Sequence, residues 1–126
     1  MNYIGKFIDG EKKREFYCKS HVFCLPTYYP YEGQPISILE AYASGCVVIT
    51  TNHSGIPFIF SDKINGFMVE KKSVSSIKDA IEYVLNHRTQ LRDIALNNRN
   101  EAFKKYRTAI YQNDILKLFN DHLYEK

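Results

Sequence analysis

A helix followed at once by an apolar strand is the feature that most constrains how this sequence folds. Residues Pro35–Ser44 read "PISILEAYAS", with a proline in the first turn and Gly45 directly after the last, the usual punctuation of a helix. The next residues, Cys46–Thr51, read "CVVITT". Such an unbroken apolar and β-branched run is typical of a parallel strand buried on both faces of a sheet. Together the two segments predict a layered α/β domain.

The same alternation of strands and helices continues along the chain. Further strand-like runs occupy Tyr3–Ile8, Val22–Leu25 and Phe67–Glu70. Helical patterns occupy Glu11–Ser20, Val74–Arg88, about Gln90–Tyr106 and about Thr108–Tyr124. We therefore expect an α/β fold with a Rossmann-like parallel sheet of about four strands and with C-terminal helices packed outside it.

Composition and charge limit the possible functions. The chain has 126 residues, enough for one core, with 44% hydrophobic and 25% charged side chains, as in ordinary soluble domains. Residues 1–85 carry nine basic and nine acidic side chains, so the net charge of +3 lies in residues 86–126. So small an excess argues against nucleic acid as a partner. A solvated helical surface is favoured, and peripheral contact with an anionic membrane is the alternative.

Targeting signals and cysteines indicate the compartment. No apolar run is long enough to span a bilayer, and the signal-peptide pattern is missing at Met1. The three cysteines, Cys18, Cys24 and Cys46, are widely spaced within apolar runs. We expect them to be reduced thiols that act as small hydrophobic side chains in a cytoplasmic protein.

The helix itself carries a polar stripe. Its polar side chains are Ser37, Glu40 and Ser44, spaced three and four apart and therefore on one face. The remaining positions are apolar, so we expect neighbouring elements to bury this helix. A buried carboxylate must have a partner. The stripe is therefore expected to face a cleft, a water channel or a ligand.

The start of the helix predicts an anion site. Gly33 permits a tight backbone, and Pro35 fixes φ without contributing an N–H group. The amides of Gln34, Ile36 and Ser37 remain as donors at the positive end of the helix dipole. Glu40 lies roughly 7–8 Å further along the axis, and Glu32 lies just outside the helix. A molecule with hydroxyls at both ends and a diphosphate in its middle fits this layout, which describes a nucleotide-sugar.

The segment also resembles a known family. The string "YEGQPISILEAYASGCVVITTNHSGIP" is similar to the donor-binding segment of family 4 glycosyltransferases, retaining enzymes of the GT-B fold. The family's two glutamates, eight residues apart, correspond to Glu32 and Glu40. "HVFCLPTYY" upstream and "INGFMV" downstream also resemble family motifs, so the likeness covers nearly the whole chain. One departure is Phe58, which stands where the family usually has glutamate.

The resemblance implies a role for each site residue. Glu40 would accept hydrogen bonds from the ribose hydroxyls of the donor. The amides of Ile36 and Ser37, next to Gly33, would hold the diphosphate. Glu32, which we expect to be catalytic, and the Gln34 amide would contact hydroxyls of the transferred sugar. The plainer alternative is that Glu40 only pairs with a neighbouring lysine or arginine.

The resemblance also implies the activity of the parent enzyme. It would transfer a hexose from a nucleotide-diphosphate sugar to a hydroxyl of a glycan or lipid-linked acceptor, with retention of configuration. We expect no metal, because the sequence has no Asp-x-Asp, and no cofactor; glycine-rich dinucleotide and P-loop motifs are missing too. Alternatives are an inactive nucleotide-binding or partner-docking module, and a GT-B epimerase or phosphorylase. With a lipid-linked acceptor, we expect the cytoplasmic parent enzyme to act at the inner face of a membrane.

Residues 1–126 would then form the later part of a C-terminal donor-binding domain, without the acceptor domain and the first two strands. In a sheet of order 3-2-1-4-5-6, Tyr3–Ile8 corresponds to strand 3 and Val22–Leu25 to strand 4. An exposed strand edge favours association. We therefore expect either that Tyr3–Ile8 pairs directly with Val22–Leu25 or that another chain, including a second copy, covers this edge.

Overall fold

The computed structural model describes residues 3–123, with side chains up to residue 121. Its strands are β1 (Val22–Leu25), β2 (Val47–Thr51) and β3 (Gly66–Val69). Its helices are α1 (Gly10–Lys19), α2 (Ile36–Ala43), α3 (Val74–Asn86), α4 (Arg88–Lys105) and α5 (Thr108–Leu123). A short 3₁₀ helix, Ile56–Phe58, lies in the connection after β2. The bounds of these elements match the predicted bounds to within a few residues, except at residues 3–8, where no strand forms. The predicted end of the last helix is Tyr124, which lies outside the described residues.

The three strands form one parallel sheet in the order β1-β2-β3. Val22 pairs with Val47 in the first ladder, and Val48 pairs with Gly66 in the second. Every residue of β2 is buried, as expected for a central strand with helices on both sides. The predicted α/β class and the contiguous parallel sheet are therefore confirmed.

Within residues 3–123 the sheet has three strands, and the expectation of about four is wrong. Residues 3–9 form no strand, and within the described part of the chain β1 pairs with β2 alone. The direct pairing of Tyr3–Ile8 with β1 is therefore not observed. Gly5 has a φ of +65°, which interrupts the extended backbone that a ladder requires. Tyr3 and Phe7 are about nine-tenths exposed, so this segment does not supply a buried edge.

The two faces of the sheet support two separate cores. On one face, Val48 packs with Ile38, Ala41 and Tyr42 of α2. On the other face, Ile49 and Val69 pack with Val84 of α3. Successive residues of a strand point to opposite faces, so the unbroken apolar run of β2 supplies both cores. This sandwiched arrangement fixes α2 against one face of the sheet.

A buried amide network attaches α4 to the loops that precede β2 and β3. Asn98 is fully buried, and its Nδ2 donates to the carbonyl oxygens of Cys46 and Asn65, both at 2.8 Å. Asn65 Nδ2 donates in return to Asn98 Oδ1 at 2.9 Å and to Glu101 Oε2 at 2.8 Å. These bonds satisfy amide groups that would be costly to bury alone. The network holds α4 next to the C-terminal end of α2.

The surface differs from the sequence expectation at the cysteines. Of the three cysteines, Cys46 is buried, whereas Cys18 and Cys24 are exposed, so only Cys46 acts as a core residue. None of the described side chains of α5 is buried, although α3 and α4 each contribute to a core.

Candidate functional site

The first turn of α2 lies at the carboxyl end of the parallel strands. Because α2 follows β1, its N-terminus faces the edge of the sheet where α/β proteins bind their ligands. The amide of Ile38 donates to the carbonyl oxygen of Pro35 at 3.1 Å. Within residues 3–123, the amides of Gln34, Ile36 and Ser37 donate to no protein acceptor, and no side chain caps the helix. The three amides assigned from the sequence are therefore available to an anion.

Glu32 lies in the loop between β1 and α2, and this loop is tied down by its neighbours. The hydroxyl of Thr27 donates to Glu32 Oε2 at 3.0 Å. The hydroxyl of Ser54 donates to the backbone carbonyl oxygen of Glu32. His53 Nε2 donates to the carbonyl oxygen of Tyr29 at 2.7 Å. The loop after β2 therefore fixes the backbone that carries Glu32.

Gly55 is the glycine that this contact between loops requires. A Cβ atom at Gly55 would lie 2.6 Å from the carbonyl oxygen of Gly33 and 3.1 Å from the amide nitrogen of Gln34. At Gly33 itself a Cβ would meet nothing within 4 Å, and the backbone is not in the left-handed region. The structure therefore does not require glycine at position 33, as the sequence suggested, but at position 55, which the sequence pattern did not single out.

Glu40 points from the second turn of α2 towards α1. Lys13 Nζ donates to Glu40 Oε1 at 2.7 Å, and the Tyr17 hydroxyl lies 3.3 Å from Glu40 Oε2. The same hydroxyl lies 3.3 Å from the carbonyl oxygen of Ser37. Burial, together with the charge of Glu40, raises the pKa of Tyr17 to about 12, so this hydroxyl remains protonated and able to donate at neutral pH.

The exposed side of α2 opens onto a groove. Glu40 and Lys13 line a cavity of about 670 Å³ between α1, α2 and α4, together with Tyr17, Arg14, Ser44 and Arg99. The Glu40 side chain is 35% exposed, so solvent reaches the carboxylate. Ile36, however, is 71% exposed, which corrects the expectation that α2 is buried on nearly every side. Positions 36, 40 and 43 lie on one face of the helix, and no described element covers them fully.

The partners of the two glutamates could not be named from the sequence. Lys13 and Tyr17 lie on a predicted helix, but their contact with Glu40 depends on how α1 crosses α2. The contacts of Ser54 and His53 depend on the paths of two loops. The ion pair with Lys13 does agree with the plainer interpretation of Glu40 as the partner of a lysine. It leaves room for a ligand as well, because the carboxylate remains open to the groove.

The described residues provide neither a metal-binding cluster nor a membrane-spanning helix. No group of three or more histidine, cysteine, aspartate or glutamate side chains in this part of the chain could hold a metal ion. No helix within it combines the length and the apolar character needed to cross a bilayer.

Comparison with known proteins decides the family. Residues 3–102 match the family model described as glycosyl transferases group 1. The chain belongs to this family. Its members have the GT-B fold, in agreement with the parallel sheet and flanking helices seen here. The match is to group 1 as a whole, and membership of family 4 stays a prediction.

Two curated glycosyltransferases are similar to most of this chain. It is 31% identical over 110 residues to the capsular polysaccharide biosynthesis glycosyltransferase CapM of Staphylococcus aureus. It is 28% identical over 107 residues to the UDP-Gal:alpha-D-GlcNAc-diphosphoundecaprenol alpha-1,3-galactosyltransferase of Escherichia coli. The matches cover 87% and 85% of this chain but only 28% and 27% of the two relatives. The chain thus spans little more than a quarter of their length.

A solved structure shows the same fold. The Anabaena protein HepE, determined in complex with UDP, superimposes with a TM-score of 0.80. The match covers 85% of this chain and 29% of HepE, at 16% sequence identity. At this identity the likeness establishes the arrangement of strands and helices.

Proposed function

We propose that this chain binds a nucleotide-diphosphate sugar at the start of α2 and forms the donor-binding part of a retaining hexosyltransferase. The observation that carries the proposal is the set of amides at Gln34, Ile36 and Ser37, which have no protein acceptor within the described residues. They lie between a carboxylate before the helix and another in its second turn. Because the chain belongs to glycosyl transferases group 1, we infer that this layout receives the sugar, diphosphate and ribose of a donor.

Each residue then has a distinct task. The amides of Ile36 and Ser37 bind the diphosphate, where the helix dipole also favours negative charge. As the sugar leaves, charge develops on the diphosphate, and preorganised amides stabilise it without reorganising. Glu40 accepts from the ribose hydroxyls. Glu32 and the Gln34 amide contact hydroxyls of the transferred hexose, with Glu32 as the proposed catalytic residue.

The nature of donor and acceptor is proposed from the relatives. The name of the E. coli relative specifies a UDP-sugar donor and a diphosphoundecaprenol-linked acceptor, and HepE was determined with UDP. We therefore propose a UDP-hexose donor and an acceptor hydroxyl on a lipid-linked glycan, with transfer at the cytoplasmic face of a membrane. The proposal includes no metal ion or other cofactor, an expectation that rests on the missing Asp-x-Asp motif.

A second candidate is a module that binds nucleotide without turnover. The chain spans 28% of the length of CapM, so residues that recognise the acceptor are expected in a partner domain or chain. Under both candidates the 126-residue chain binds the donor. The two candidates differ in whether the chain, assembled with an acceptor domain, transfers the sugar. A sugar-transfer assay with the acceptor domain present distinguishes them.

Proline substitution at Ile36 tests the amide site directly. Proline is well accepted at the first position of a helix, where it removes only a free N–H, and Pro35 already has the extended backbone that a following proline needs. Because Ile36 is largely exposed, Ile36→Ala serves as a control that shortens the side chain but keeps the amide. Titration calorimetry with UDP and with uridine then separates diphosphate binding from nucleoside binding.

We expect Ile36→Pro to weaken UDP binding by about 1–3 kcal/mol relative to Ile36→Ala, since a charge-assisted hydrogen bond is lost. Uridine binding should be equal in the two variants. Saturation-transfer NMR with UDP-, GDP- and ADP-glucose would identify the base in parallel. Equal UDP affinity of the two variants would contradict the amide site.

A further inference from the structure

The carboxylate of Glu40 is held from both sides by one neighbouring helix. Lys13, 27 residues away in sequence, occupies Oε1, and the Tyr17 hydroxyl reaches Oε2. An ionised carboxylate offers about four acceptor positions, two on each oxygen. These contacts use one position on each oxygen, so one position on each remains free.

We infer that Lys13 and Tyr17 are positioning residues, which fix the Glu40 carboxylate so that its two free acceptor positions receive the 2′- and 3′-hydroxyls of ribose. The inference rests on the proposed function and deepens it. Two adjacent hydroxyls donating to the two oxygens of one carboxylate form a bidentate contact, which depends strongly on the orientation of the carboxylate plane. A glutamate free to rotate would lose this match in most of its rotamers.

The surroundings of Tyr17 make it a fixed support. Its ring packs against Phe23 of β1, with ring centroids 5.5 Å apart, and its hydroxyl also lies within reach of the Ser37 carbonyl oxygen. Ser37 provides one of the amides proposed to bind the diphosphate. Tyr17 therefore connects the sheet, the phosphate-binding turn and Glu40 through a single side chain.

The position of the pair at the groove supports a role in binding. The side chains of Lys13 and Glu40 are 40% and 35% exposed, and ion pairs this exposed contribute little to folding. The groove beside them, of about 670 Å³, offers space on the free side of the carboxylate. A ligand that enters this groove meets Glu40 already oriented.

The test compares two nucleotides that differ only in the ribose hydroxyls. Calorimetry of the 126-residue chain would measure the dissociation constants of UDP and of 2′,3′-dideoxy-UDP. We expect Lys13→Met to weaken UDP binding roughly three- to tenfold, the range of one hydrogen bond, and to leave the dideoxy nucleotide within about twofold. Tyr17→Phe, which keeps the ring, should act in the same direction, and Lys13→Arg should restore part of the loss.

A matched control is available on the same helix. Lys12 is exposed and makes no ion pair within the described residues, so Lys12→Met removes the same charge one residue away. It should change neither affinity. Equal losses for both nucleotides in Lys13→Met would overturn the inference, because they indicate a phosphate contact or a damaged fold. An unchanged UDP affinity in Lys13→Met would overturn it too.

Glu40→Gln separates this inference from the proposed function. If Glu40→Gln does not reduce the preference for UDP over the dideoxy nucleotide, or if the wild-type chain does not bind UDP, the proposed function fails and the inference fails with it. A different outcome is that Glu40→Gln removes the preference for UDP over the dideoxy nucleotide while Lys13→Met and Tyr17→Phe keep it. In that outcome Glu40 binds the ribose hydroxyls, and only the positioning role of Lys13 and Tyr17 is wrong.

Discussion

The two glutamates of the site are held in place by different means. Glu32 lies in a loop whose backbone is fixed by a second loop, through the Ser54 hydroxyl and the close approach of Gly55. Glu40 lies in a regular helix, and its carboxylate is fixed by Lys13 and Tyr17 of α1. The Glu32 carboxylate accepts from the Thr27 hydroxyl of its own loop at 3.0 Å, and the path of that loop requires a glycine at position 55. The support of Glu40, by contrast, depends on the identity of two residues outside the motif.

The largest expected effect is on turnover. In an enzyme that contains this domain together with an acceptor domain, Glu32→Ala should lower kcat by about 10²–10³, the usual loss for one preorganised group that acts in the transition state. Glu40→Ala should act mainly on KM for the donor, because ribose contacts are made before and during the reaction. Steady-state kinetics with both variants would measure this difference. A larger loss of kcat in Glu40→Ala would reverse the assigned roles.

We expect the second-largest effect on the stability of the fold that carries both glutamates, when Asn98 is substituted. Asn98→Ala removes the side-chain donor to the Cys46 and Asn65 carbonyl oxygens, of which the second still accepts from the Val48 amide, and opens space under α4. We expect a loss of about 2–4 kcal/mol in the free energy of unfolding. The neighbouring Asn97 is exposed, and Asn97→Ala should stay within about 0.5 kcal/mol. Urea denaturation measures both, and equal losses would contradict the role of the network.

A smaller effect is expected at Gly55. A methyl group there must displace the backbone of Gly33, at a cost of about 1–3 kcal/mol in stability. Gly33→Ala, on the other side of the same contact, meets open space and should cost less than about 0.5 kcal/mol. Thermal denaturation of Gly55→Ala and Gly33→Ala tests whether the loop that carries Glu32 depends on the close approach of Gly55 to the Gly33 backbone. A greater loss in Gly33→Ala would contradict this explanation.

The sequence predicted the elements of the fold well where local pattern decides the structure. The apolar run of β2 and the proline and glycine that flank α2 placed both elements to within one residue. The prediction was wrong at Tyr3–Ile8, because an apolar run becomes a strand only if it can reach a partner edge with extended backbone. Gly5 adopts a left-handed conformation there.

The candidate site was predictable only in part for a similar reason. Free amides at the start of a helix follow from its first residue, so Gln34, Ile36 and Ser37 could be named in advance. Lys13, Tyr17, Ser54 and Gly55 act across gaps in the sequence of about twenty residues or more. Such contacts depend on how helices and loops pack, which a single sequence does not specify.

The central claim is that Glu40 binds the ribose of the donor and Glu32 contacts the transferred sugar. The most direct test is the affinity of the 126-residue chain for UDP, measured by calorimetry for wild type, Glu40→Ala and Glu32→Ala. UDP carries the ribose but lacks the sugar. We therefore expect Glu40→Ala to weaken binding by about 1–3 kcal/mol, because polar groups are left unpaired, and Glu32→Ala to change it by less than about 0.5 kcal/mol. Equal losses in the two variants would contradict the account.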